Sequence, residues 1–446
     1  MKNFISIIIG KMLIMIGKIM HKGSSLPGEM ALKLNKNLFK YFKLPETVIA
    51  VTGSSGKGSI SSMLASIYRK SGYTVAHNAK GSNLSAGIAT LLLENCNLKG
   101  KINKDILIFE IDERYTKYVF KDISPNYVVI TNICRDQPPR QGHFDLVFEE
   151  IKKSLKPKMH LILNADDPYL QKFVSDDYEV TYYGIAKNKY SYKKNIFSSL
   201  NMVYCPKCNS KLNYNYYQFE SIGDYYCSNC SFKRPIPSYE VTSMNYDKSE
   251  IKINNKYTIH IPFNVLFCAY NTLAVFTVAS ILGLDKNQVC SYISEEKANA
   301  KIYDRFKINN RNVHILSNKN ENSTTFNQSL IYTKRFKELK TIVIGWKEIS
   351  RRYNFDDLSW LYDIDFEILN DCNIEKVICV GIHCYDIATR MKYAQIPEKK
   401  ILCFDNLDEA KDVMLNKTKG DLFGIVNFDY VEPLHNLLTE GDNNEN

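Results

Sequence analysis

Short apolar runs alternate with helical patterns through the first part of the chain. Continuous apolar segments at residues 48–51, 105–111, 127–131 and 160–164 predict buried strands, and a helical pattern over residues 144–155 separates two of them. Strands buried on both faces and alternating with helices are typical of a parallel, doubly wound sheet. The sequence therefore predicts an α/β fold with a central parallel sheet.

A second α/β unit follows a helical pattern at residues 270–284. We place the boundary near residue 300, and we expect the acidic end of the chain to be disordered. The apolar runs of the second unit lie at residues 313–316, 341–345, 376–381, 401–404 and 422–428. The predicted divisions are an N-terminal helix and lead-in segment at 1–45, the first sheet at 46–300 with an insert at 201–235, the second unit at 301–440 and a tail at 441–446.

The N-terminal segment at residues 4–20 is strongly apolar, but Lys11 and Lys18 interrupt it. A helix of this length spans roughly 25 Å, less than the ~30 Å of a bilayer core. A lysine at the centre of a spanning helix costs about 2.5–3.5 kcal/mol, and no small-residue cleavage site follows as in a signal peptide. We expect an amphipathic helix that packs on the protein, with the inner membrane face as the alternative.

Composition and charge restrict the class of partner without identifying it. The 446 residues suggest two to four domains, and a hydrophobic content of 45% is ordinary for a globular protein. The net charge is +10, but the lysines are scattered, apart from a modest cluster at residues 187–194. We therefore expect no nucleic-acid partner, whereas an anionic substrate or membrane surface fits this charge.

Four of the 12 cysteines form two Cys-x-x-Cys pairs, Cys205 with Cys208 and Cys227 with Cys230, with 18 residues between the pairs. This spacing predicts a zinc ribbon, and its four thiolates leave no open coordination position, so the ion is expected to be structural. The remaining cysteines occur singly, which indicates a reducing cytoplasm rather than a disulfide framework.

A phosphate-binding loop follows the strand at residues 48–51. Gly53 and Gly56 allow the backbone N–H groups to turn toward an anion, the following helix contributes the positive end of its dipole, and Lys57 adds a full charge. The usual spacing has four residues between the glycines and a hydroxyl directly after the lysine. Here two residues separate the glycines and Gly58 follows the lysine, so we expect Ser59 to supply the hydroxyl for Mg²⁺.

Polar side chains follow several of the predicted strands. Glu110, Asp112 and Glu113 end the strand at residues 105–111, and a carboxylate there can hold Mg²⁺ against nucleotide phosphates; a helix N-cap cluster is the alternative. Residues 78–83, 131–137 and 164–168 also end predicted strands. Because the carboxyl ends of parallel strands meet at one edge of a sheet, these groups predict a nucleotide site there.

These segments resemble a known family, the ATP-dependent Mur ligases. The phosphate loop, residues 81–83, Glu110, Asn271 and Arg305 are similar to that family. Further segments resemble the branch of the family that amidates lipid II together with a glutaminase. They are residues 26–28, 135–137, the inserted ribbon, 357–363 and 390–394.

The resemblance implies an activity and a set of roles. A member of this branch uses ATP and Mg²⁺ to activate the α-carboxylate of D-glutamate in the lipid II stem peptide, and ammonia from a GatD-type glutamine amidotransferase then gives D-isoglutamine. By resemblance, Lys57 and Glu110 are catalytic, with Asp357 or Asp363 facing the glutaminase. The implied ATP contacts are Thr52, Gly53, Ser54, Ser55, Gly56, Lys57, Gly58, Ser59, Asn271 and Arg305, the substrate contacts are Ser82 and Asn83, the Mg²⁺ ligands are Ser59 and Glu110, and the Zn²⁺ ligands are the four ribbon cysteines.

The chain also departs from the pattern of that branch. The proline pair Pro138-Pro139 stands where the family has Leu-Asp, and the basic Lys307 stands where the family has a glutamate. Residues 320–325 do not match the family's Lys-Asn-Pro-x-Gly segment. Lys347-Glu348 stands for an Asn-Asp pair and Phe355 for a glycine. These changes leave open an amide ligase with another carboxylate substrate, and a weakly active homologue that serves as a binding partner.

Overall fold

The computed structural model describes residues 2–19, 25–79, 81–136, 143–198, 200, 202–296, 302–319, 321–349 and 356–439. Within these ranges the chain forms a nine-stranded sheet, a six-stranded sheet and a two-stranded hairpin, with helices packed on both larger sheets. The α/β fold predicted from the alternation of apolar runs and helices is therefore confirmed.

The first part of the chain builds the nine-stranded sheet, in the order β11-β10-β9-β6-β5-β4-β1-β3-β2. Seven neighbouring strands of this sheet pair in parallel, in the order β9-β6-β5-β4-β1-β3-β2, and β10 and β11 extend the sheet as antiparallel strands. The elements are α1 (Lys2–Ile19), α2 (Leu26–Leu34), β1 (Thr47–Thr52), α3 (Lys57–Lys70), β2 (Val75–His77), α4 (Ser85–Asn95), β3 (Ile106–Glu110), α5 (Thr116–Val119), β4 (Tyr127–Ile130), α6 (Phe144–Ser154), β5 (His160–Asn164), β6 (Glu179–Ile185), β7 (Asn213–Phe219), β8 (Ile222–Tyr226), β9 (Tyr239–Asn245), β10 (Glu250–Ile253), β11 (Tyr257–His260), α7 (Leu266–Ile281) and α8 (Lys286–Ser294).

Strand β1 explains why the predicted strands read as continuous apolar runs. Val48 and Ala50 pack into the hydrophobic core on one face of the sheet, whereas Ile49 and Val51 pack into the core on the other face. Because successive side chains of a strand point to opposite faces, a strand covered on both faces needs apolar residues at every position. The polar loop begins at the carboxyl end of β1, on the side of the sheet where the parallel strands end.

Helix α1 packs against α2 and α4. Ile7 is fully buried, and Gly10 lies so close to α4 that an added Cβ would sit 2.7 Å from Leu93 Cδ1. The amphipathic helix predicted at residues 4–20 therefore forms and packs on the protein. No helix in the described ranges combines the length and the apolar character required to cross a membrane.

The second part of the chain forms the six-stranded sheet, in the order β12-β13-β17-β14-β15-β16. Edge strand β12 is antiparallel to β13, and the other strands pair in parallel. Trp346 and Trp360 are buried in the core on one face of this sheet. The elements are β12 (Tyr303–Ile308), β13 (Arg311–Asn318), α9 (Ser323–Lys334), β14 (Lys340–Gly345), β15 (Ile374–Val380), α10 (Cys384–Tyr393), β16 (Ile401–Phe404), α11 (Leu407–Asp412), β17 (Asp421–Asn427) and α12 (Phe428–Thr439).

The insert between β6 and β9 carries the hairpin of β7 and β8. Phe219, at the end of β7, is buried against Phe197 and Phe267 in the aromatic core shared with the six-stranded sheet. In the turn of the hairpin, the carboxyl group of Glu220 accepts a hydrogen bond from Asn327 Nδ2 of α9 at 3.3 Å. The hairpin therefore connects the two sheets.

Candidate functional site

The phosphate loop lies between β1 and α3. Gly53 and Gly56 have φ values of 119° and 86°, a region that favours glycine, and Gly56 is the N-cap residue of α3. The space at Gly53 is also closed, because an added Cβ would lie 2.3 Å from Thr131 Oγ1. Both predicted glycines are thus required by the backbone conformation, and the helix begins at the predicted lysine.

Lys57 is buried at the base of this loop. Its Nζ donates to Glu113 Oε1 at 2.8 Å and also to the carbonyl oxygen of Gly53. Burial raises the pKa of the Glu113 carboxyl, and the Lys57 ammonium opposes that shift. Glu113 therefore holds the lysine side chain at the loop, whereas the neighbouring Asp112 caps a short 3₁₀ turn by accepting from Arg114 N.

Glu110, Asn83 and the first turn of α3 come together at the end of β3. Asn83 Nδ2 donates to Glu110 Oε1 at 2.8 Å, and a Cβ added at Gly58 would lie 3.1 Å from Glu110 Oε2. The side chain of Asn78 binds both backbone groups of Glu110. Its Oδ1 accepts from Glu110 N at 2.9 Å, and its Nδ2 donates to Glu110 O at 2.8 Å. The carboxylate that the sequence suggested for Mg²⁺ thus faces the start of the helix that carries Ser59, and it can serve as an oxygen ligand there.

Asn132 fixes the other side of the loop. Its Oδ1 accepts from Ser55 N at 3.0 Å, its Nδ2 donates to Ser55 O at 3.1 Å, and its backbone carbonyl accepts from Ser54 N at 2.8 Å. Within the described part of the chain, three buried hydroxyls around the loop have no hydrogen-bond partner: Thr52 Oγ1, Ser55 Oγ and Thr131 Oγ1. Unpartnered buried hydroxyls are costly, so this donor set fits a polyphosphate acceptor.

Asn271 of α7 also contacts the loop, because a Cβ at Gly56 would lie 2.6 Å from its Oδ1. Asn271 therefore lies where a nucleotide contact is expected. Arg305 does not share that position. It lies exposed on edge strand β12 opposite His314, and no hydrogen bond or ion pair joins it to the loop among the described residues.

A second lysine reaches the loop from the six-stranded sheet. Lys319, directly after β13, donates from Nζ to the carbonyl oxygen of Ser54 at 3.0 Å and forms an ion pair with Asp136. Asn322, the N-cap residue of α9, donates to Asp136 Oδ1 at 3.1 Å. Burial opposes the charge on Lys319, but Asp136 and Glu113 hold its pKa above the usual value. Sequence analysis missed this lysine, because only the fold brings it to a loop 265 residues away.

Arg135 forms another link between the sheets. Its guanidinium is ion-paired with Asp363 and donates from Nη2 to Ser359 Oγ at 2.9 Å. Burial raises the pKa of Asp363, and Arg135 opposes that shift. Asp357 instead accepts from Ser359 N at 2.9 Å and is partly exposed.

Of the positions that depart from the family pattern, residues 138–139 and Phe355 lie outside the described residues, whereas Lys307 is exposed on β12.

The four cysteines of the insert converge as predicted. Their Sγ atoms all lie within 4.8 Å of one another, with Cys205 to Cys230 at 3.6 Å and Cys208 to Cys227 at 3.4 Å. With Zn–S bonds of about 2.3 Å, the sulfurs of a tetrahedral site lie roughly 3.8 Å apart. The backbone N–H groups of Lys207 and Asn229 point at Cys205 and Cys227 Sγ, both at 3.4 Å. The donor set fits Zn²⁺.

Family models match two parts of the chain. The Mur ligase middle domain matches residues 51–232, and the MurT ligase C-terminal domain matches residues 320–428. The first match contains the phosphate loop and the four cysteines, and the second covers most of the six-stranded sheet.

Two curated relatives are similar over nearly the whole chain. The lipid II isoglutaminyl synthase subunit MurT of Staphylococcus aureus strain COL is 28% identical over 419 residues, which cover 93% of this chain and 92% of the relative. The MurT subunit of Streptococcus pneumoniae strain R6 is 26% identical and covers 89% of this chain and 88% of its own.

A solved structure has the same fold. The pseudomurein peptide ligase type C from Methanothermus fervidus superposes with a TM-score of 0.66 at 21% identity, covering 91% of this chain and 81% of the ligase.

Proposed function

We propose that this chain, which belongs to the MurT type of the Mur ligase family, is the synthetase subunit of a lipid II isoglutaminyl synthase. The supporting comparison is the match to MurT subunits over about nine tenths of both chains. In this proposal the substrates are ATP, the α-carboxylate of D-glutamate in the lipid II stem peptide, and ammonia. The products are the carboxamide, ADP and phosphate, and the reaction belongs to peptidoglycan synthesis on the cytoplasmic side of the membrane.

One structural observation carries this function. Two lysines from different halves of the chain, the buried Lys57 and the half-buried Lys319, have their ammonium groups at the same phosphate loop. Next to the loop, Glu110 and Asn83 occupy the end of β3. Phosphoryl transfer depends on positioned positive charge around the transferring group, and this arrangement supplies it from both halves of the chain.

The proposed reaction proceeds in two steps. A carboxylate oxygen attacks the γ-phosphorus of ATP, the bond from that phosphorus to the β-γ bridging oxygen breaks, and ADP leaves with the bond electrons. Ammonia then attacks the acyl carbon, phosphate leaves, and the nitrogen loses a proton. The chain's contribution is to orient the acceptor carboxylate and to stabilise the charge on the transferring oxygens through Lys57 and Lys319.

Two kinds of metal ion fit the described residues. Glu110 and the Ser59 hydroxyl would hold Mg²⁺, which neutralises charge on nucleotide phosphates when bound. Cys205, Cys208, Cys227 and Cys230 would hold Zn²⁺ as a structural ion, because four thiolates fill its coordination sphere. The hairpin beneath this site joins both sheets, so the zinc would also support their relative position.

A GatD-type glutamine amidotransferase is the proposed source of ammonia, docked on the six-stranded half of the chain. Of the two candidate aspartates, Asp363 is occupied by its ion pair with Arg135, and burial raises its pKa. Asp357 is partly exposed, and among the described residues its carboxylate accepts a hydrogen bond from the backbone N–H of Ser359. We assign Asp357 to the contact with the glutaminase and Asp363 to the link between the sheets.

The test is the complete reaction. The chain is co-purified with a candidate glutaminase and incubated with lipid II, ATP and glutamine, and the lipid is analysed by mass spectrometry. Amidation replaces a carboxylate with a carboxamide and removes one negative charge. Product that requires both ATP and glutamine supports the proposal. Unchanged lipid II with ATP still bound would point to another carboxylate substrate, and absence of ATP binding would contradict the assignment of the loop.

A further inference from the structure

Helix α1 exposes a continuous apolar face. Six of its large apolar side chains are exposed, with Met15 at 61% and Ile19 at 75% relative accessibility. At 3.6 residues per turn, these six side chains cover an arc of about 120° on one side of the helix, as wide as the apolar stripe of a helix that packs into a core. The six residues are Phe4, Ile5, Met12, Met15, Ile16 and Ile19. We call this surface the α1 apolar face.

The opposite side of α1 is held firmly by the protein. Ile7 is fully buried, and Gly10 closes on Leu93 of α4. Lys11 Nζ donates to the carbonyl oxygen of Leu93 at 2.8 Å, and Asn35 Nδ2 donates to Asn3 Oδ1 at 2.5 Å. Helix α1 is therefore fixed in place with the α1 apolar face directed outward.

The charge of this part of the chain is strongly one-sided. Residues 1–45 contain eight lysines and one acidic residue, Glu29, which gives +7 of the chain's formal +10. Lys18 and Lys2 are exposed and project on either side of the apolar arc at helical spacing. A long lysine stem can extend along a lipid surface while its ammonium group stays in water.

We propose that the α1 apolar face is a membrane-binding surface, which lies in the plane of an anionic bilayer with its apolar side chains in the headgroup region. An outward apolar arc flanked by lysines, on a segment that carries most of the net charge, matches the chemistry of an interfacial helix. A second copy of the chain fits less well, because two faces bordered by lysines would repel each other. This inference does not depend on the proposed reaction.

The test is co-sedimentation of the full chain with lipid vesicles. We expect binding to vesicles that contain phosphatidylglycerol, little binding to phosphatidylcholine vesicles, and weaker binding at high salt, which screens the lysines. The triple variant Met12→Ser, Met15→Ser and Ile19→Ser should bind at least about tenfold more weakly. Because these three side chains are exposed, its thermal unfolding should match that of the unmodified chain.

A matched control removes three exposed apolar side chains elsewhere. Leu98→Ser, Leu146→Ser and Ile236→Ser together change the same number of apolar groups, at positions 48%, 61% and 91% accessible, and should leave vesicle binding unchanged. Equal loss in both triple variants would overturn the proposal, as would absence of binding to anionic vesicles. A dimer that forms without lipid and dissociates in the α1 variant would show that a second copy covers this face instead.

Discussion

Glu220 should make the stability of this protein depend on pH. It lies in the turn of the ribbon hairpin, is buried, and accepts one hydrogen bond from Asn327 Nδ2 at 3.3 Å. Burial raises the pKa of its carboxyl from 4.5 to about 8, an effect that the Asn327 bond opposes and that nearby Asp365 reinforces. The hairpin therefore contacts the second sheet through a carboxyl group that is protonated in the folded chain at neutral pH.

The sign of the effect follows from linkage. As pH rises above 4.5 the unfolded chain loses the Glu220 proton while the folded chain keeps it, so the free energy of unfolding falls until about pH 8. At about 1.4 kcal/mol per pH unit, the decrease between pH 5.5 and pH 8 is up to about 3 kcal/mol. Glu220→Gln keeps the shape and the acceptor oxygen but has no proton to lose. Its free energy of unfolding should therefore lack this part of the pH dependence.

Urea unfolding followed by tryptophan fluorescence measures this difference. The two tryptophans of the chain, Trp346 and Trp360, are both buried in the core of the six-stranded sheet, so the signal reports on the half that Glu220 contacts. Other titrating groups contribute equally to both proteins and cancel in the comparison. Glu149→Gln, at an exposed helical position, is the matched control. Parallel stability curves for Glu220→Gln and the unmodified chain from pH 5.5 to pH 8 would refute the reasoning.

Three further changes test other parts of the structure. Lys57→Ala should reduce ATP-dependent turnover at least about 100-fold by removing charge from the transferring phosphoryl group, and near-normal turnover would disprove that role. Cys208→Ser should abolish zinc binding in metal analysis and lower the melting temperature, whereas Cys372→Ser, outside the cluster, should retain zinc; a chain purified without zinc would rule out the ribbon site. Arg135→Met and Asp363→Asn should show a coupling energy of about 0.5–3 kcal/mol in a double-mutant cycle for unfolding, and additive effects would mean that this ion pair does not join the sheets.

Local patterns predicted the elements of the site but not their partners. The strand, the two glycines, Lys57 and helix α3 are adjacent in the chain, so their apolar pattern and turn chemistry were sufficient to locate the loop. The carboxylates after β3 were also visible, but the fold divides their roles. Glu110 faces the start of α3, whereas Glu113 is ion-paired with Lys57.

Contacts between distant segments could not be predicted in the same way. Lys319 follows an ordinary apolar strand, and nothing in its neighbours indicates that its ammonium lies 3.0 Å from Ser54 O. The sequence offers Asp357 and Asp363 as alternatives for the contact with a partner, and the ion pair of Asp363 with Arg135 depends on how the two sheets pack. The apolar pattern also does not predict strands β10 and β11, which extend the sheet as antiparallel strands, because their short runs follow no helical crossover.

The central claim is that this chain uses ATP to activate a carboxylate of lipid II, and oxygen-isotope transfer tests it most directly. Lipid II labelled with ¹⁸O in the α-carboxyl group of D-glutamate is incubated with the chain, its glutaminase, ATP and glutamine, and the released phosphate is analysed by mass spectrometry. We predict one ¹⁸O atom in the phosphate for each amide formed, because the carboxyl oxygen leaves with the phosphoryl group. Amide formation with unlabelled phosphate, or ATP hydrolysis without amide, would contradict the account.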